Sequence, residues 1–514
     1  MTKTLAALLS ALPETQIIAT HGDARTPINA PVVEADADVQ PGGVFVARKG
    51  RSTDGHAFIP RAISAGAAAI IGERPHAELD MPAQVPYAQV HDAQAATGYL
   101  AAAYYDFPSR KLTVIGITGT NGKTSTTHLL FNILHEATKG HAGYISTLAF
   151  YDGKADADTG LHVTTPGAPQ VQAYLARMVA NGLTHAVLEV TSHGLAQGRL
   201  NGTDFNVGVL TNLTHEHLDF HGSFESYRAA KGILFEMLKH GSKTQVTSIL
   251  NADDPSYAYY AAITPAQVVT YAIHNENAAH QARDIQHSAQ GTQFISDDTT
   301  YKLHLVGDYN VANALAALAA ARAVGVTNPA TIQAGLERVQ AISGRMERID
   351  AGQDFLAIVD FAHTPDALAR ALQAARSMIA PGKRVLAVFG SAGLRDVEKR
   401  RLMALASVQA ADITILTAED PRTEALDDIL GMMQQAATQA GAIVGQSVFS
   451  VRDRGQALYQ ACQMARAGDV VLALGKGHEQ SMAFGRVEYP WDDRDALRAA
   501  LQGQPLRTLP TADE

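Results

Sequence analysis

The sequence predicts an α/β protein of three domains in series, the middle one a parallel sheet built around a nucleotide loop. Three observations carry that prediction. A chain of 514 residues is longer than one hydrophobic core fills. From about residue 113 onward, short β-branched runs alternate with helical ones, the pattern of strand–helix–strand units and parallel sheets. The run Val114-Ile115-Gly116-Ile117-Thr118 passes directly into Gly119-Thr120-Asn121-Gly122-Lys123-Thr124 and then a helical repeat of Leu129, Leu130, Ile133 and Leu134.

The first unit, residues 1–107, has apolar runs at Val44-Phe45-Val46-Ala47 and Ala68-Ala69-Ile70-Ile71, with turns at Gln40-Pro41-Gly42-Gly43 and Asp54-Gly55. The segment Asp106-Phe107-Pro108-Ser109-Arg110 reads as a linker, because proline stops the helix before it. The second unit, residues 108–343, holds strand runs at Ala186–Val190, Val207–Leu210 and Ser248–Leu250. Its polar stretch 274–302 suggests an antiparallel hairpin, and Ala312–Ala323 is a helix by propensity. The third unit, residues 344–514, is Rossmann-like, with strands expected at Leu356–Val359, Val385–Phe389, Ile413–Leu416 and Val470–Leu474. The tail Thr508–Glu514 is expected to fray.

A net charge of −10 argues against a nucleic-acid binder. No apolar run is long enough to span a bilayer, and Met1-Thr2-Lys3-Thr4-Leu5 lacks the features of a secretory leader, so a cytoplasmic enzyme without membrane insertion is expected. Cys462 is the single cysteine, which excludes an internal disulfide and a cysteine-rich metal site.

A buried strand, a Gly-rich turn and a helix N-terminus form a phosphate cradle: backbone N–H groups and the helix dipole face the anion. Lys123 adds positive charge, and the Thr124 hydroxyl, with Ser125 beside it, suits Mg²⁺. The spacing Gly-x-x-Gly-Lys-Thr is two residues shorter than the usual P-loop. Glu189 closes an apolar strand, where an acid can reach Mg²⁺ directly or through water. His215-Glu216-His217 invites a zinc reading, but without cysteines alternating histidines read better as a loop. Lys231 alone reads as a solvated helix lysine.

Taken together these pieces resemble the Mur ligases of peptidoglycan synthesis. The likeness runs through Gly119–Thr124, Glu189-Val190-Thr191-Ser192-His193-Gly194-Leu195, Asn212-Leu213-Thr214-x-x-His217-Leu218-Asp219 and Lys231. It continues in Gly307-Asp308-Tyr309-Asn310-Val311-Ala312-Asn313, Gly344-Arg345-Met346-Glu347, Asp360-Phe361-Ala362-His363-Thr364-Pro365-Asp366 and Gly475-Lys476-Gly477-His478-Glu479. The last three blocks are most similar to the MurE type.

That resemblance implies an N-terminal UDP-binding domain, a central ATPase domain and a C-terminal amino-acid-binding domain. It implies that ATP activates the D-Glu carboxylate of UDP-N-acetylmuramoyl-L-Ala-D-Glu as an acyl phosphate, which a diamino acid then attacks; a monomer is expected, although the sequence does not settle the oligomeric state. By the resemblance, Thr124, Glu189, His217 and a carbamylated Lys231 serve Mg²⁺, and Lys123 and the loop bind ATP together with Asn310, Arg345, Asp360 at the ribose and His363 near the phosphates. Thr164, Thr165, Thr191, Gln197 and Arg199 match the muramoyl-dipeptide pocket. Arg395, Glu419, Asp420, Arg422, Gly475 and Glu479 match the amino-acid site.

Two departures stand out. Glu419-Asp420-Pro421-Arg422 carries Asp420 where the family has a neutral Asn, and Leu394 stands where an acid is common. Arg422 suits the distal carboxylate of meso-diaminopimelate, whereas Glu419, Asp420 and Glu479 suit a bare ammonium, which tilts the balance toward lysine or ornithine. The family's uridine-binding Asp-Ser-Arg is also missing, replaced by Ala35-Asp36-Ala37-Asp38, so uridine contacts there are expected to be backbone-mediated or weaker.

Overall fold

The computed structural model describes all residues except 1–2, 51–52, 155, 158–163, 215, 289–290 and 513–514. His215 of the zinc reading therefore lies outside the described residues. Among those described, three main sheets follow one another along the chain.

The first has five strands in the order Ile17–His21, Tyr87–Val90, Ala69–Gly72, Val44–Ala47, Val32–Val33, parallel except for the outer Ile17–His21. The second places Thr113–Thr118 between His185–Glu189 and Val207–Leu210, in a nine-stranded sheet that is parallel through its centre. These strands are buried on both faces, which explains their unbroken apolar runs. The helix Asp308–Ala323 is buried nearly all round, and its alanines let the nucleotide helix Lys123–Ala137 pack closely against it. The third sheet runs Glu347–Arg348, Leu356–Asp360, Val470–Leu474, Val385–Phe389, Ile413–Leu416, Val448–Ser450, parallel except for the first strand.

Three expectations differ from the structure. The polar stretch is a meander of three antiparallel strands, Arg283–Ser288, Gly291–Ser296 and Thr299–Leu303, with Phe294 and Tyr301 buried beneath it. The linker is an ordered corner. Asp106 and Phe107 take positive φ, a 3-10 turn follows at Pro108–Lys111, and Arg110 stacks on Phe107 and pairs with Asp204 at 3.2 Å. The tail is anchored through Thr511: Leu509 is buried in the third core, and the Thr511 hydroxyl donates to Asp453 at 2.9 Å.

Candidate active site

The nucleotide loop is shaped by two glycines. Gly119 has φ 149°, and a Cβ there would lie 1.9 Å from Thr211 Oγ1; Gly122 has φ 84°, and a Cβ there would lie 2.3 Å from Asn313 Oδ1. No side chain caps the helix Lys123–Ala137, so its first N–H groups stay open to an anion. Parallel register sets Glu189 beside Ile117, at the strand end next to the loop. Thr124 Oγ1 donates to both Glu189 oxygens at 3.0 and 3.1 Å, and the Thr147 N–H adds a third bond at 3.0 Å. Among the described residues this buried carboxylate accepts hydrogen bonds from neutral donors, and an oxygen-seeking dication fits that arrangement.

Lys231 is 2% exposed and donates to the Gly119 carbonyl at 2.7 Å. Lys123 donates to the same carbonyl at 3.1 Å and to that of Thr120 at 2.9 Å. Two ammonium groups on one buried oxygen repel. Burial first, and Lys123 second, push the Lys231 pKa well below that of an ordinary lysine, which eases the loss of its proton. His217 has φ 55° and faces the cleft. Desolvation first, then His193, Lys231 and Lys123, push its imidazole pKa down to about 3, with Glu216 opposing.

A cavity of about 260 Å³ joins the second and third units. It is lined by Thr120, Asn121, Gly122, Lys123, Thr124, Ser125, Glu189, His217, Asn310, Arg345, Asp360 and His363, all singled out in the sequence; Gly119 contributes its carbonyl behind the loop. Asp360 accepts the Met346 and Ala362 N–H groups at 2.7 and 2.8 Å, so it also fixes the turn that presents Arg345. The Arg345 guanidinium stacks over Phe361 at 4.4 Å, reaches Thr124 at 3.4 Å and keeps its Nε unpaired. Tyr309, Met346, Phe361 and Arg370 line the cavity as well. Sequence reasoning missed these four, although Tyr309, Met346 and Phe361 flank the motif residues.

A second cavity, of about 660 Å³, brings together Thr164, Thr165, Thr191, Gln197 and Arg199 from the second unit with Arg395, Glu419, Asp420, Arg422, Gly475 and Glu479 from the third. Thr165 bonds the Glu189 carbonyl at 3.1 Å and Thr191 at 3.0 Å, and Arg199 donates to the Thr165 carbonyl at 2.6 Å. His193 and Lys399 are further lining residues. Both cavities share Thr164, Thr191, Glu216, His217, Phe361 and His363, which places a common wall between them. His363 Nε2 lies 3.1 Å from Glu216 Oε1 across the unit boundary, and this pair, with His217, holds the Glu216 carboxyl well below its usual range despite its burial.

At the far end of this cavity the charges differ from the simple sum. Lys476 lies 3.0 Å from Asp420 and 2.6 Å from Glu479. Burial opposes its charge, but the two carboxylates outweigh burial and raise its pKa. Arg422 donates to the Gly393 carbonyl at 2.8 Å and lies 3.7 Å from Asp420. Glu419 is buried with Oε2 unpaired, beside Gly475.

The Mur ligase middle domain matches residues 117–321, the Mur ligase glutamate ligase domain residues 344–477, and the Mur ligase family catalytic domain residues 37–105. A UDP-N-acetylmuramyl-tripeptide synthetase of Roseiflexus sp. (strain RS-1) is 41% identical over 92% of this chain and 95% of its own length. The chain belongs to the Mur ligase family. A UDP-N-acetylmuramoyl-L-alanyl-D-glutamate--2,6-diaminopimelate ligase of Geobacillus kaustophilus (strain HTA426) is 39% identical over 92% of this chain and 96% of its own. The solved structure of a ligase with that same name superposes with a TM-score of 0.65 at 28% identity, covering 98% of this chain and 99% of the other. MurF from Acinetobacter baumannii, at 20% identity and a TM-score of 0.68 over 98% and 99% of the two chains, shares the fold. This Mur ligase is an ATP-dependent ligase of the MurE type, with the three-domain α/β architecture of the family. None of the helices described is long and apolar enough to cross a membrane.

Proposed function

We propose that this ligase joins the D-Glu γ-carboxylate of UDP-N-acetylmuramoyl-L-Ala-D-Glu to the amine of a diamino acid, at the expense of ATP, in peptidoglycan precursor synthesis. The observation that supports this most is the shared wall of the two cavities: phosphoryl donor, acceptor carboxylate and incoming amine can meet only there. The γ-carboxylate oxygen attacks the ATP γ-phosphorus, ADP leaves, and an acyl phosphate forms. The deprotonated amine then attacks the acyl carbon, the amide bond forms, and inorganic phosphate departs.

In this reading Lys123 swings from its own loop's carbonyls onto the phosphates, and the open helix N-terminus holds them. Arg345 neutralises ATP from the third unit, with Asn310, Asp360 and His363 completing the nucleotide site. Thr165, Thr191, Gln197 and Arg199 orient the acceptor, with Thr164 at the wall. Mg²⁺ would be held by Thr124, Glu189, His217 and Lys231 as its carbamate, and when bound it neutralises the charge that gathers on the transferred phosphoryl group. The neutral Lys231 amine is the form that adds CO2: a nitrogen–carbon bond forms, one proton leaves the nitrogen, and the carbamate offers an anionic oxygen ligand.

Meso-diaminopimelate is the amino acid this reading assigns. Its distal carbon carries an ammonium for the unpaired Glu419 oxygen and a carboxylate for Arg422 and Arg395. Lys476 already neutralises much of Asp420 and Glu479, which weakens the electrostatic argument for a bare ammonium. A second reading, L-lysine or L-ornithine, draws on one observation: Asp420 lies 3.7 Å from Arg422, in the neighbourhood a substrate carboxylate would need. The domain limits 1–107, 108–343 and 344–514, a monomeric state and a cytoplasmic site of action belong to the same reading. Phosphate release from ATP with the UDP-dipeptide and each of the three amino acids, in separate reactions, tests it. Turnover with meso-diaminopimelate alone is expected; turnover with none sinks the reading.

A further inference from the structure

Among the described residues, six line both the nucleotide cavity and the acceptor cavity, and five of them carry polar side chains. The exception is Phe361. An apolar ring in a polar wall, at the place where carboxylate, phosphoryl group and amine must meet, asks for a chemical reason.

Phe361 opens the loop between the strand Leu356–Asp360 and the helix Pro365–Ser377. Parallel register sets Asp360 beside Leu474, so this loop begins next to the Gly475–Glu479 stretch of the amino-acid site. The two loops touch closely: a Cβ on Gly477 would lie 2.7 Å from Phe361 Cβ. The His478 ring lies 5.1 Å from the Phe361 ring between centroids, and His363 meets it edge-on at 4.6 Å. On the nucleotide side the Arg345 guanidinium stacks over it at 4.4 Å. The Phe361 N–H donates to the Gly344 carbonyl at 2.9 Å, and its own carbonyl lies 2.9 Å from His363 Nδ1. Arg345, His363 and the amino-acid loop thus hold the ring, yet the residue is only half-buried, and what remains uncovered faces the two cavities.

An acyl phosphate is a mixed anhydride, and water competes with the amine for it. Attack by the neutral amine gives the amide and hydrogen phosphate. Attack by water at the acyl carbon breaks the same carbon–oxygen bond but gives the free carboxylate, hydrogen phosphate and one proton, so ATP is consumed without a product. The acceptor cavity, of about 660 Å³ with polar walls, has ample room for such water. We propose that Phe361 is the water shield of this reaction: its ring covers the acyl phosphate at the shared wall until the amine arrives, and Arg345 and the amino-acid loop keep it in place. The inference rests on the acyl-phosphate ligation of a UDP-dipeptide proposed above.

The test uses full-length Phe361→Ala, Phe361→Leu and Phe361→Tyr with ATP, Mg²⁺ and the UDP-dipeptide. Each is assayed with and without meso-diaminopimelate or L-lysine, whichever supports turnover of the wild type. Wild type should release one phosphate per amide formed, and little phosphate without the amino acid. Without the amino acid, Phe361→Ala should release phosphate at roughly ten times the wild-type rate or more, and only when the UDP-dipeptide is present. In H2¹⁸O the label should enter the γ-carboxylate of the recovered UDP-dipeptide, which marks water at the acyl carbon. Phe361→Leu should uncouple in the same way to a smaller degree, and it carries the test if Phe361→Ala does not fold. Phe361→Tyr keeps the ring, and its phosphate-to-amide ratio should stay within about twofold of wild type. Slower amide formation in Phe361→Ala or Phe361→Leu, with the ratio still at one and no label in the carboxylate, overturns the proposal. A merely structural ring would give that result, lowering the rate without admitting water. Extra phosphate that needs no UDP-dipeptide overturns it as well, being plain ATP hydrolysis. A wild type that forms no amide from the UDP-dipeptide fails the functional reading, and this inference falls with it.

Discussion

The two ends of the reaction cleft are built from different materials. At the ATP end the cradle is main chain: Gly119 and Gly122 hold positive φ, and the uncapped helix that starts at Lys123 presents its own N–H groups. At the amino-acid end the contacts are side chains on strained loops, with Leu394, Asp420 and Arg422 at φ 57°, 40° and 53°. Buried ion pairs hold those loops. Arg400 grips Glu424, which in turn accepts the Leu394 N–H at 2.9 Å, and Arg454 grips Asp493 while donating to the Ala418 and Leu474 carbonyls. A main-chain cradle reads phosphate whatever side chains surround it. A side-chain pocket can be retuned one charge at a time.

The largest effects should fall on the ATP end. Lys123→Met and Lys231→Ala should each lower turnover by about 10³ or more, because both remove charge control at the transferring phosphoryl group. The pair also separates two roles: formate or acetate should restore part of the activity of Lys231→Ala and none of Lys123→Met. Full activity of Lys231→Ala without added carboxylate would remove the carbamate from the mechanism. The sign of the pH effect follows from the lowered Lys231 pKa. The amine is neutral above its folded pKa, so bicarbonate should activate CO2-stripped enzyme at a lower pH than an ordinary lysine would need. Activation should fade as acid protonates the amine; an ordinary lysine would need pH above about 10.

Next comes the support beneath the amino-acid end. Arg454 and Asp493 are fully buried, with two bonds of 2.7 Å, and Trp491 adds its indole N–H to Asp493 at 2.9 Å. Asp493→Asn strands a buried guanidinium and should cost about 3–5 kcal/mol of stability. Trp491 is the only tryptophan in the chain, so denaturant unfolding followed by its fluorescence reports the third unit directly. A loss below about 1 kcal/mol would mean the pair is not what holds these loops.

Between the two ends lies the boundary crossed by Arg345 to Thr124, Asn121 to Asp366 and His363 to Glu216. Each contact is a single weak or charged bond. The third unit should therefore open without nucleotide and close on ATP with the UDP-dipeptide. Small-angle scattering should show a smaller radius of gyration with both ligands; identical profiles would count against closure.

What was legible in the sequence follows the same divide. Strands Val385–Phe389, Ile413–Leu416 and Val470–Leu474 were readable to the residue because strands buried on both faces are almost wholly apolar, Thr414 alone among them being polar and bonded to the Ser407 hydroxyl. The nucleotide loop was readable because its chemistry needs a fixed local spacing. The anchored tail was not, since the partner of Thr511 is Asp453, far away in sequence. The Lys476–Asp420 contact was hidden for the same reason: loops from separate elements make it, and no local pattern encodes the pairing.

The smallest effect is the most informative about amino-acid choice. Asp420 accepts from Lys476 and from the Ala483 N–H, both at 3.0 Å, and stands 3.7 Å from Arg422. Asn at this position keeps an acceptor for Ala483 and tolerates the positive φ, so Asp420→Asn should fold normally. It removes one negative charge beside Arg422 and leaves Lys476 to Glu479 alone. A distal carboxylate then meets a less repulsive pocket, and a distal ammonium loses one attraction. The ratio of kcat/KM for meso-diaminopimelate over L-lysine should rise by roughly tenfold, about 1.4 kcal/mol of discrimination. A ratio that stays fixed would mean Lys476 already cancels Asp420 completely, and selectivity would then rest on Glu419 and Arg422. A ratio that falls would mean Asp420 acts through Lys476 to position Glu479, and not through its own charge.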